Sequence, residues 1–303
     1  MNHLIALLGV LGISLAAIFF RMSTVSPATA ALFRALYALP LLMWMARHHK
    51  ASPRFRMLAF AGGLLFGLDL VCWHAAIERM GAGLATVMAN TQVAWVGVGA
   101  WAIQGERPPL RFLAVLPLML GGVALLAGLG DHHAFGIDPV TGALFGLAGA
   151  LAYAGYLLVH RRACRGDPWP TGPLRDATAG VAVAALALGL LGDPAFSLHP
   201  TWPAHGWLLV LAVVVQAGGW FALSVALPRL AAVEGSTLLL LQPVGTLLWG
   251  TLLFAEAPSV RQWLGAAVVL AGLAVVQFGG RAVANTKVPF VQVDEFAKDE
   301  AAK

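Results

Sequence analysis

The chain has 303 residues, of which 59% are hydrophobic and only 11% are charged. Soluble domains average about 45–50% apolar and about 25% charged residues, so this composition argues against a water-soluble fold. The net charge of +5 does not indicate a nucleic-acid partner, because the basic residues lie in short clusters between apolar blocks and not along one polar face. We therefore expect a lipid bilayer as the solvent of this chain.

Apolar blocks follow one another from the first residues to about residue 280, separated by Pro, Gly and charged residues. Each block is close to the ~20 residues that a helix needs to cross the hydrocarbon core. We predict spans at residues 4–20, 27–46, 57–77, 82–103, 109–128, 140–160, 172–192, 204–227, 233–254 and 260–279. The sequence thus predicts an all-α membrane protein of ten transmembrane helices.

The basic residues orient these helices. With the N-terminus inside, fifteen Lys and Arg fall in cytoplasmic segments, only Arg21, Arg79 and Arg261 fall in outer loops, and Arg34 lies inside a helix. Because cytoplasmic loops carry the excess of basic residues, we place both termini in the cytoplasm of a multi-pass protein of the cell inner membrane. Residues 282–303 are polar and mixed in charge, and we expect a cytoplasmic tail there, with disorder as one possibility.

The chain repeats itself at a constant offset of 150 residues. The identities include Arg, Gln, Glu and Pro, which an apolar background seldom matches by accident: Arg79/Arg229, Gln92/Gln242, Glu106/Glu256, Pro108/Pro258, Arg111/Arg261, Leu120/Leu270, Gly122/Gly272 and Ala124/Ala274. We predict one five-helix repeat over residues 1–130 and a second over 131–281. Since five is odd, the second repeat is inverted in the membrane, an arrangement typical of alternating-access transporters. The alternative is a duplication that only added helices.

Residues 92–126 and 242–276 carry this repeat most clearly. Each segment has a polar residue or Pro opening a helix, a Gly/Ala-Glu-x-Pro turn and a Gly-rich following helix. These paired segments resemble the signatures of the drug/metabolite transporter superfamily, in particular its EamA family. The resemblance implies ten helices, cytoplasmic termini, a cavity between the halves and export of small metabolites such as amino acids. One departure is Val93, which stands where the second half has the helix-breaking proline Pro243, so the first half lacks that proline.

Helix ends and helix contacts account for other matched residues. We expect Glu106 and Glu256, at helix ends, to accept backbone or Arg hydrogen bonds across the interface between the halves. The small-residue pairs Gly63/Gly67 and Gly142/Gly146 predict close helix packing.

Two ionisable residues lie near the middle of predicted spans, Arg34 in the second and Asp69 in the third. A charged group at the centre of a membrane helix costs roughly 2.5–3.5 kcal/mol on insertion scales, so it needs a partner, water or a purpose. One interpretation is an Asp69–Arg34 ion pair. The other is a substrate site in which Asp69 binds a proton or an ammonium group and Arg34 binds a carboxylate.

Aromatic and amide residues recur around these two charges at helical spacing. Trp73 follows Asp69 at i+4, Gln216, Trp220 and Ser224 form a stripe on the eighth span, and Tyr153 and Tyr156 form one on the sixth. Aromatic walls with a few polar groups suit a cavity for an amphipathic molecule, although lipid-facing packing is the alternative for any single Trp. The candidate substrate-binding residues are Asp69, Trp73, Arg34, Gln92, Trp95, Tyr153, Tyr156, Gln216, Trp220, Gln242 and Trp249.

No Walker A motif, zinc-ligand spacing or catalytic triad is visible in the sequence, so we expect no cofactor, no metal and no enzymatic activity. The leading hypothesis is a secondary exporter of small metabolites, amino acids or related amphipathic compounds, with protons as a candidate coupling ion. Efflux of hydrophobic or cationic drugs is the alternative within transport, and a membrane enzyme or scaffold is the alternative outside it. One chain carries both repeats, so a monomer suffices for a complete pathway.

Overall fold

The computed structural model describes residues 2–47, 52–105, 110–164, 171–219, 222–223, 226, 230 and 232–278. In this part of the chain every regular element is helical. The elements are α1 (Asn2–Ser14), α2 (Ala16–Ser23), α3 (Pro27–Met45), α4 (Pro53–Met80), α5 (Ala82–Ala89), α6 (Gln92–Gln104), α7 (Leu110–Leu126), α8 (Pro139–Ala163), α9 (Thr171–Gly192), α10 (Ala204–Val210), the π-helix π1 (Leu211–Gly219), α11 (Ala232–Phe254) and α12 (Val260–Phe278). The predicted tail at 282–303 lies outside the described residues.

Three helices begin at a polar cap followed by a proline at the first helical position: α3 after Ser26, α4 after Ser52 and α8 after Asp138. Proline fits there because the first N–H groups of a helix have no intrahelical partner. The Asp138 carboxylate accepts a hydrogen bond from the Thr141 N–H at 3.2 Å. The hydroxyl and N–H of Thr141 together lower the pKa of Asp138. A polar residue followed by proline therefore marks the start of each of these three helices, as predicted from the sequence.

The fourth predicted span is broken at Asn90 and Thr91, although no proline lies there. Asn90 Nδ2 donates to the Thr86 carbonyl at 2.8 Å, and Thr91 Oγ1 donates to the Met88 carbonyl at 2.7 Å. Such side-chain bonds to the preceding turn compete with the helical ladder, and the helix is interrupted between α5 and α6. The counterpart α11 continues through Pro243. The helix-breaking role that the sequence assigned to this proline is therefore wrong.

The eighth span begins as the α-helix α10. From residue 211 to residue 219 it continues as π1, so the α-helical stripe predicted for Gln216, Trp220 and Ser224 does not apply there. Trp220 and Ser224 lie outside the described residues. π-helical segments are rare and are frequent at functional sites, which directs attention to this part of the bundle.

Several helices are long and apolar enough to cross a membrane. Among the described residues five reach this length: Asn2–Ser23 with its break at Leu15, Pro27–Met45, Pro53–Met80, Pro139–His160 and Thr171–Gly192. Shorter apolar helices occur at Leu110–Leu126, Ala204–Gly219, Leu238–Phe254 and Val260–Val276. The exact count of ten spans and the location of the termini stay predictions.

Small residues bring α4 into close contact with α9 and α8. A Cβ added to Gly63 would lie 2.0 Å from the Ala177 carbonyl oxygen, and one added to Gly67 would lie 2.6 Å from Ala184 Cβ. On α8, an added Cβ at Gly142 would lie 3.1 Å from Met80 Cβ of α4, and one at Gly146 would lie 2.6 Å from Met88 Cγ of α5. The packing role predicted for these glycines is confirmed, and it makes α4 the centre of the bundle.

Candidate functional site

The helical bundle has two ends, and we name each end after one residue. The Glu256 end contains residues 24–26, 81, 127–138, 193–203 and 255–259, and the opposite Asp176 end contains residues 46–47, 52, 105, 164 and 171. Long-range hydrogen bonds tie the first group together, from Ala28 N–H to Asp193 at 3.2 Å and from Phe135 N–H to Gln262 at 2.7 Å. The candidate site lies between the two ends.

Arg34 lies on α3 in the middle of the bundle with only 4% of its surface exposed. Its Nε and Nη2 both donate to Gln216 Oε1 on π1, at 3.1 and 2.9 Å. Its third nitrogen, Nη1, is buried and has no hydrogen-bond partner in the described part of the chain. A buried cation is thus held by a neutral amide and retains one free donor.

Asp69 lies on α4 and is also buried. It does not form a salt bridge with Arg34, so the direct ion pair is not the arrangement found among the described residues. A Cβ added to Gly149 would lie 3.1 Å from Asp69 Oδ1, so the carboxylate is directed at α8. Arg34, Asp69 and Tyr153 nevertheless lie within electrostatic range of one another. The charges are neighbours without direct contact.

An aromatic cluster lies beside these charges. Phe66 stacks on Tyr156 with 4.8 Å between ring centroids, and its edge meets Tyr153 at 5.5 Å. The two tyrosine rings are 5.5 Å apart. Farther along α4, Trp73 is buried, its indole N–H has no partner among the described residues, and its ring is 5.3 Å from His74. The site therefore combines two charges, aromatic faces and unused donors.

The space next to Arg34 is small in this conformation. Its pocket lies between α3, α4, α9 and π1 and is lined by Arg34, Ala35, Phe66, Leu70, Thr178, Val181 and Gln216. The pocket leaves no room for a water-sized molecule. The centre of the bundle is closed around the guanidinium and its amide partner.

The other candidate residues lie apart from this cluster. Gln92 and Trp95 are half-buried on α6, and Gln242 is half-buried on α11. Trp249 on α11 donates its indole N–H to Ser14 Oγ at 3.0 Å, which links α11 to α1. Trp220 lies outside the described residues. Among the candidates, hydrogen bonds, ring contacts and electrostatic proximity bring together Arg34, Asp69, Tyr153, Tyr156 and Gln216.

Glu256 forms a second polar cluster, at one end of the bundle. Its carboxylate is 2% exposed, pairs with Arg21 Nη1 and accepts the Ala82 and Gly83 N–H groups at 2.6 and 3.1 Å. Gly81 has φ +89°, and a Cβ there would lie 2.9 Å from the Glu256 carboxyl carbon. The prediction that Glu256 accepts backbone and Arg hydrogen bonds from the other half is confirmed, and Glu106 lies outside the described residues.

A larger cavity of ≈ 400 Å³ opens at the same end. Its polar lining comes from Arg21, Thr24, Ser26, Glu78 and Asp193, and Phe20 lies in its wall. Phe20 stacks on His74 with 4.0 Å between ring centroids. The cavity is therefore separated from the central pocket by packed side chains.

Two residues of this arrangement were not predicted. Phe66 carries no polar signal inside an apolar block, and only its position three residues before Asp69 could have suggested a common face. Ser14 is one of many small residues in the first span, and its role depends on a partner 235 residues away in sequence.

One family model matches most of the chain, and two relatives carry the name of transporters. The model of the EamA-like transporter family matches residues 1–128 and 140–278. "Uncharacterized transporter YwfM" of Bacillus subtilis is 26% identical over 249 residues, 80% of this chain and 81% of that protein. An "Uncharacterized transporter" of Archaeoglobus fulgidus is 25% identical over 209 residues, 69% of this chain and 72% of that protein. One crystal structure matches 93% of this chain and 98% of its own with a TM-score of 0.60, and its 19% identity restricts the likeness to the fold.

Proposed function

The chain belongs to the EamA-like transporter family, and from this premise we propose that it is a secondary transporter that exports small metabolites by alternating access. The substrates are amino acids or related amphipathic compounds that carry a carboxylate and an ammonium group. The pathway runs through a central cavity between the two repeats. The substrate leaves the protein chemically unchanged.

The buried Arg34 guanidinium carries this proposal. A direct ion pair with Asp69 would neutralise its charge within the protein, whereas here its direct partner is the neutral amide of Gln216 and Asp69 lies nearby without contact. A buried cation without a charged group in direct contact is stabilised when a carboxylate pairs with it through several hydrogen bonds. Arg also presents a planar fork of donors that matches a carboxylate.

Asp69 and the aromatic cluster would contact the other two parts of the substrate, its ammonium group and its apolar side chain. An ammonium group beside Asp69 would meet an anion that has no salt-bridge partner among the described residues. Phe66 and Tyr156 offer ring faces to an apolar side chain. A zwitterion with an apolar side chain therefore fits the three parts of the site together.

Alternating access is supported by contacts that occur twice, at positions 150 residues apart. Gly122 lies against Val269 and Gly272 against Met119, at 2.9 and 2.5 Å from an added Cβ, and these two contacts exchange when the halves are exchanged. The pairs of packed helices exchange likewise: α1 with α11 corresponds to α6 with α8. Two copies related in this way can close one end while opening the other.

The orientation of the export pathway rests on the positive-inside bias, which assigns the Glu256 end to the outside of the cell inner membrane. At that end the packed rings of Phe20 and His74 separate the cavity from the central pocket, and Glu256 joins α2 to α5. The sequence shows no Walker A motif, so a proton gradient or the substrate's own gradient is the driving force in this proposal.

Counterflow in proteoliposomes tests the substrate class. The purified chain is reconstituted in vesicles loaded with unlabelled leucine, and uptake of labelled leucine, its decarboxylated amine and its deaminated acid is compared with and without an imposed pH gradient. We expect saturable counterflow of the zwitterion, and we expect Asp69→Asn to raise the half-saturation concentration for leucine about tenfold, equivalent to about 1.4 kcal/mol, while sparing the deaminated acid.

Asp138→Asn is the matched control, since it makes the same chemical change in a loop and asparagine preserves helix capping. Its transport should equal that of the unmodified chain. Absence of counterflow for every amino acid tested would overturn this substrate class. Transport of fluorescent organic cations that is lost in Asp69→Asn, without amino-acid counterflow, would establish the drug-efflux alternative instead.

A further inference from the structure

Gln216 occupies the position around Arg34 that a carboxylate would take. Two nitrogens of the guanidinium converge on the single oxygen Oε1, at 3.1 and 2.9 Å. Arg commonly holds a carboxylate through the same donors in a bidentate geometry, and the carboxylate adds the attraction between opposite charges. The amide oxygen is thus a weaker, neutral equivalent of a substrate oxygen.

The segment that carries Gln216 is built in a conformation that can change. Gln216 lies inside π1, whose i→i+5 hydrogen bonds make it a rare helix type, and α10 leads into it without interruption. Conversion of such a segment to an α-helix changes the direction of the side chains that follow its start. Gln216 can therefore leave Arg34 without any separation of helices.

The pocket beside Arg34 is closed because these side chains fill it. Gln216, Phe66 and Val181 lie on three different helices around the guanidinium and leave no room for a water-sized molecule. A carboxylate can enter only if one of these side chains withdraws. Gln216 is the one that forms hydrogen bonds to Arg34, and it is the one on the π-helix.

We infer that Gln216 is an internal placeholder for the substrate carboxylate, displaced from Arg34 when substrate binds and returned when substrate leaves. This inference rests on the proposed function, because it takes a carboxylate as the ligand of Arg34. The placeholder keeps two guanidinium nitrogens hydrogen-bonded during the return of the empty transporter. Gln216 is a positioning residue that sets both affinity and turnover.

The placeholder makes a quantitative prediction about affinity. A ligand binds more weakly in proportion to the fraction of protein whose site is occupied by a competitor, so removing the competitor tightens binding. Gln216→Met has the same length and no strong acceptor, and we expect its half-saturation concentration for leucine to fall about threefold. Gln216→Glu supplies a charged competitor, and we expect a rise of about tenfold or more.

The test measures leucine counterflow by Gln216→Met and Gln216→Glu in proteoliposomes, together with the melting temperature of each substrate-free protein in detergent. Val213→Met introduces the same side chain at a 54% exposed position of π1 and should leave affinity unchanged. Without substrate, Gln216→Glu should melt higher than Gln216→Met, because it pairs with Arg34. The decarboxylated amine, which lacks the competing group, should respond to neither substitution.

The outcomes separate this inference from the proposed function. If the unmodified chain gives no amino-acid counterflow, the proposed function fails. If the unmodified chain transports leucine but Gln216→Met binds it more weakly or equally well, Gln216 is a structural support and the placeholder is overturned. A fall in half-saturation concentration for Gln216→Met with a rise for Gln216→Glu establishes the placeholder.

Discussion

Gly149 is the residue that gives the Asp69 side chain its room. It lies on α8 four residues before Tyr153, and an added Cβ would be 3.1 Å from Asp69 Oδ1 and 3.4 Å from Cys72 Cβ. Contacts of 3.1 Å are tighter than carbon and oxygen atoms normally accept, so the carboxylate would have to move. A methyl group at this position would therefore move the Asp69 carboxylate without removing it.

Gly149→Ala should weaken leucine binding several-fold, by about 1 kcal/mol, because it displaces the Asp69 carboxylate. Gly121→Ala is the matched control, since a Cβ at Gly121 meets nothing within 4 Å. Alanine is favoured over glycine in helices by about 1 kcal/mol, so both variants should fold. Half-saturation concentrations from counterflow decide the matter, and equal values for the two variants would show that Asp69 has no role in binding.

How far the sequence could predict the site differs from residue to residue. Arg34 and Asp69 were identifiable because a charged side chain inside an apolar block loses its hydration, which makes such residues rare. The partner of Arg34 was not identified, since the sequence pointed to Asp69 as its partner and gave no reason to pair it with Gln216. Only the packing of α3 against π1 shows that the amide, 182 residues away, reaches the guanidinium. The sequence therefore identifies the charged residues of the site but not which side chains contact one another.

At the scale of elements, Glu256 holds the start of α5 from the other half of the chain. Its carboxylate accepts two N–H groups at the N-terminus of that helix and pairs with Arg21 on α2. An anion at a helix N-terminus satisfies unpaired donors and interacts favourably with the helix dipole. Three elements are thereby joined at one end of the bundle by one buried side chain.

Glu256→Gln should loosen that end, because the amide loses the charge that pairs with Arg21 and with the helix dipole. From the usual range for capping losses we expect about 1–2 kcal/mol, or about tenfold in the closed-to-open ratio. The measurement is the rate at which a maleimide labels Thr86→Cys, a position 2% exposed here, in a background with Cys72→Ser and Cys164→Ser.

Glu78→Gln is the control for this experiment, since the Glu78 side chain is 42% exposed and its nearest cation is Arg79 at 3.9 Å. It should leave the labelling rate unchanged. A lower melting temperature of Glu256→Gln with an unchanged labelling rate would show that Glu256 supports folding but does not hold that end closed.

The elements themselves were more predictable than their interruptions. Helix starts at Pro27, Pro53 and Pro139 follow directly from local chemistry, and each begins within a few residues of the predicted span. The break at Asn90–Thr91 depends on side-chain hydrogen bonds that compete with the backbone, and the same residues could have stayed helical. Pro243 shows the converse, because neighbouring helices can support a proline inside a membrane helix.

At the scale of the whole molecule, the scaffold is more symmetric than the site. The turn residues Gly105 and Ala255, at equivalent positions, both have positive φ, +70° and +51°. Phe66 and Gln216 are also equivalent at the 150-residue offset, and both line the pocket of Arg34. Phe66 provides an aromatic ring and Gln216 provides an amide. Positions that match at the 150-residue offset therefore carry different chemistry at the centre of the bundle.

The orientation of this framework is open to a direct test in intact bacterial cells. The positive-inside bias predicts that the Glu256 end faces outward and the Asp176 end faces the cytoplasm. In a background with Cys72→Ser and Cys164→Ser, a membrane-impermeant maleimide should label His133→Cys, in the exposed loop at the Glu256 end, without permeabilisation. Ser52→Cys, exposed at the other end, should be labelled only after the membrane is opened. The reverse pattern would mean that the closed end faces the cytoplasm, and labelling of both sites in intact cells would refute the predicted arrangement of spans, because an odd number of crossings must separate residues 52 and 133.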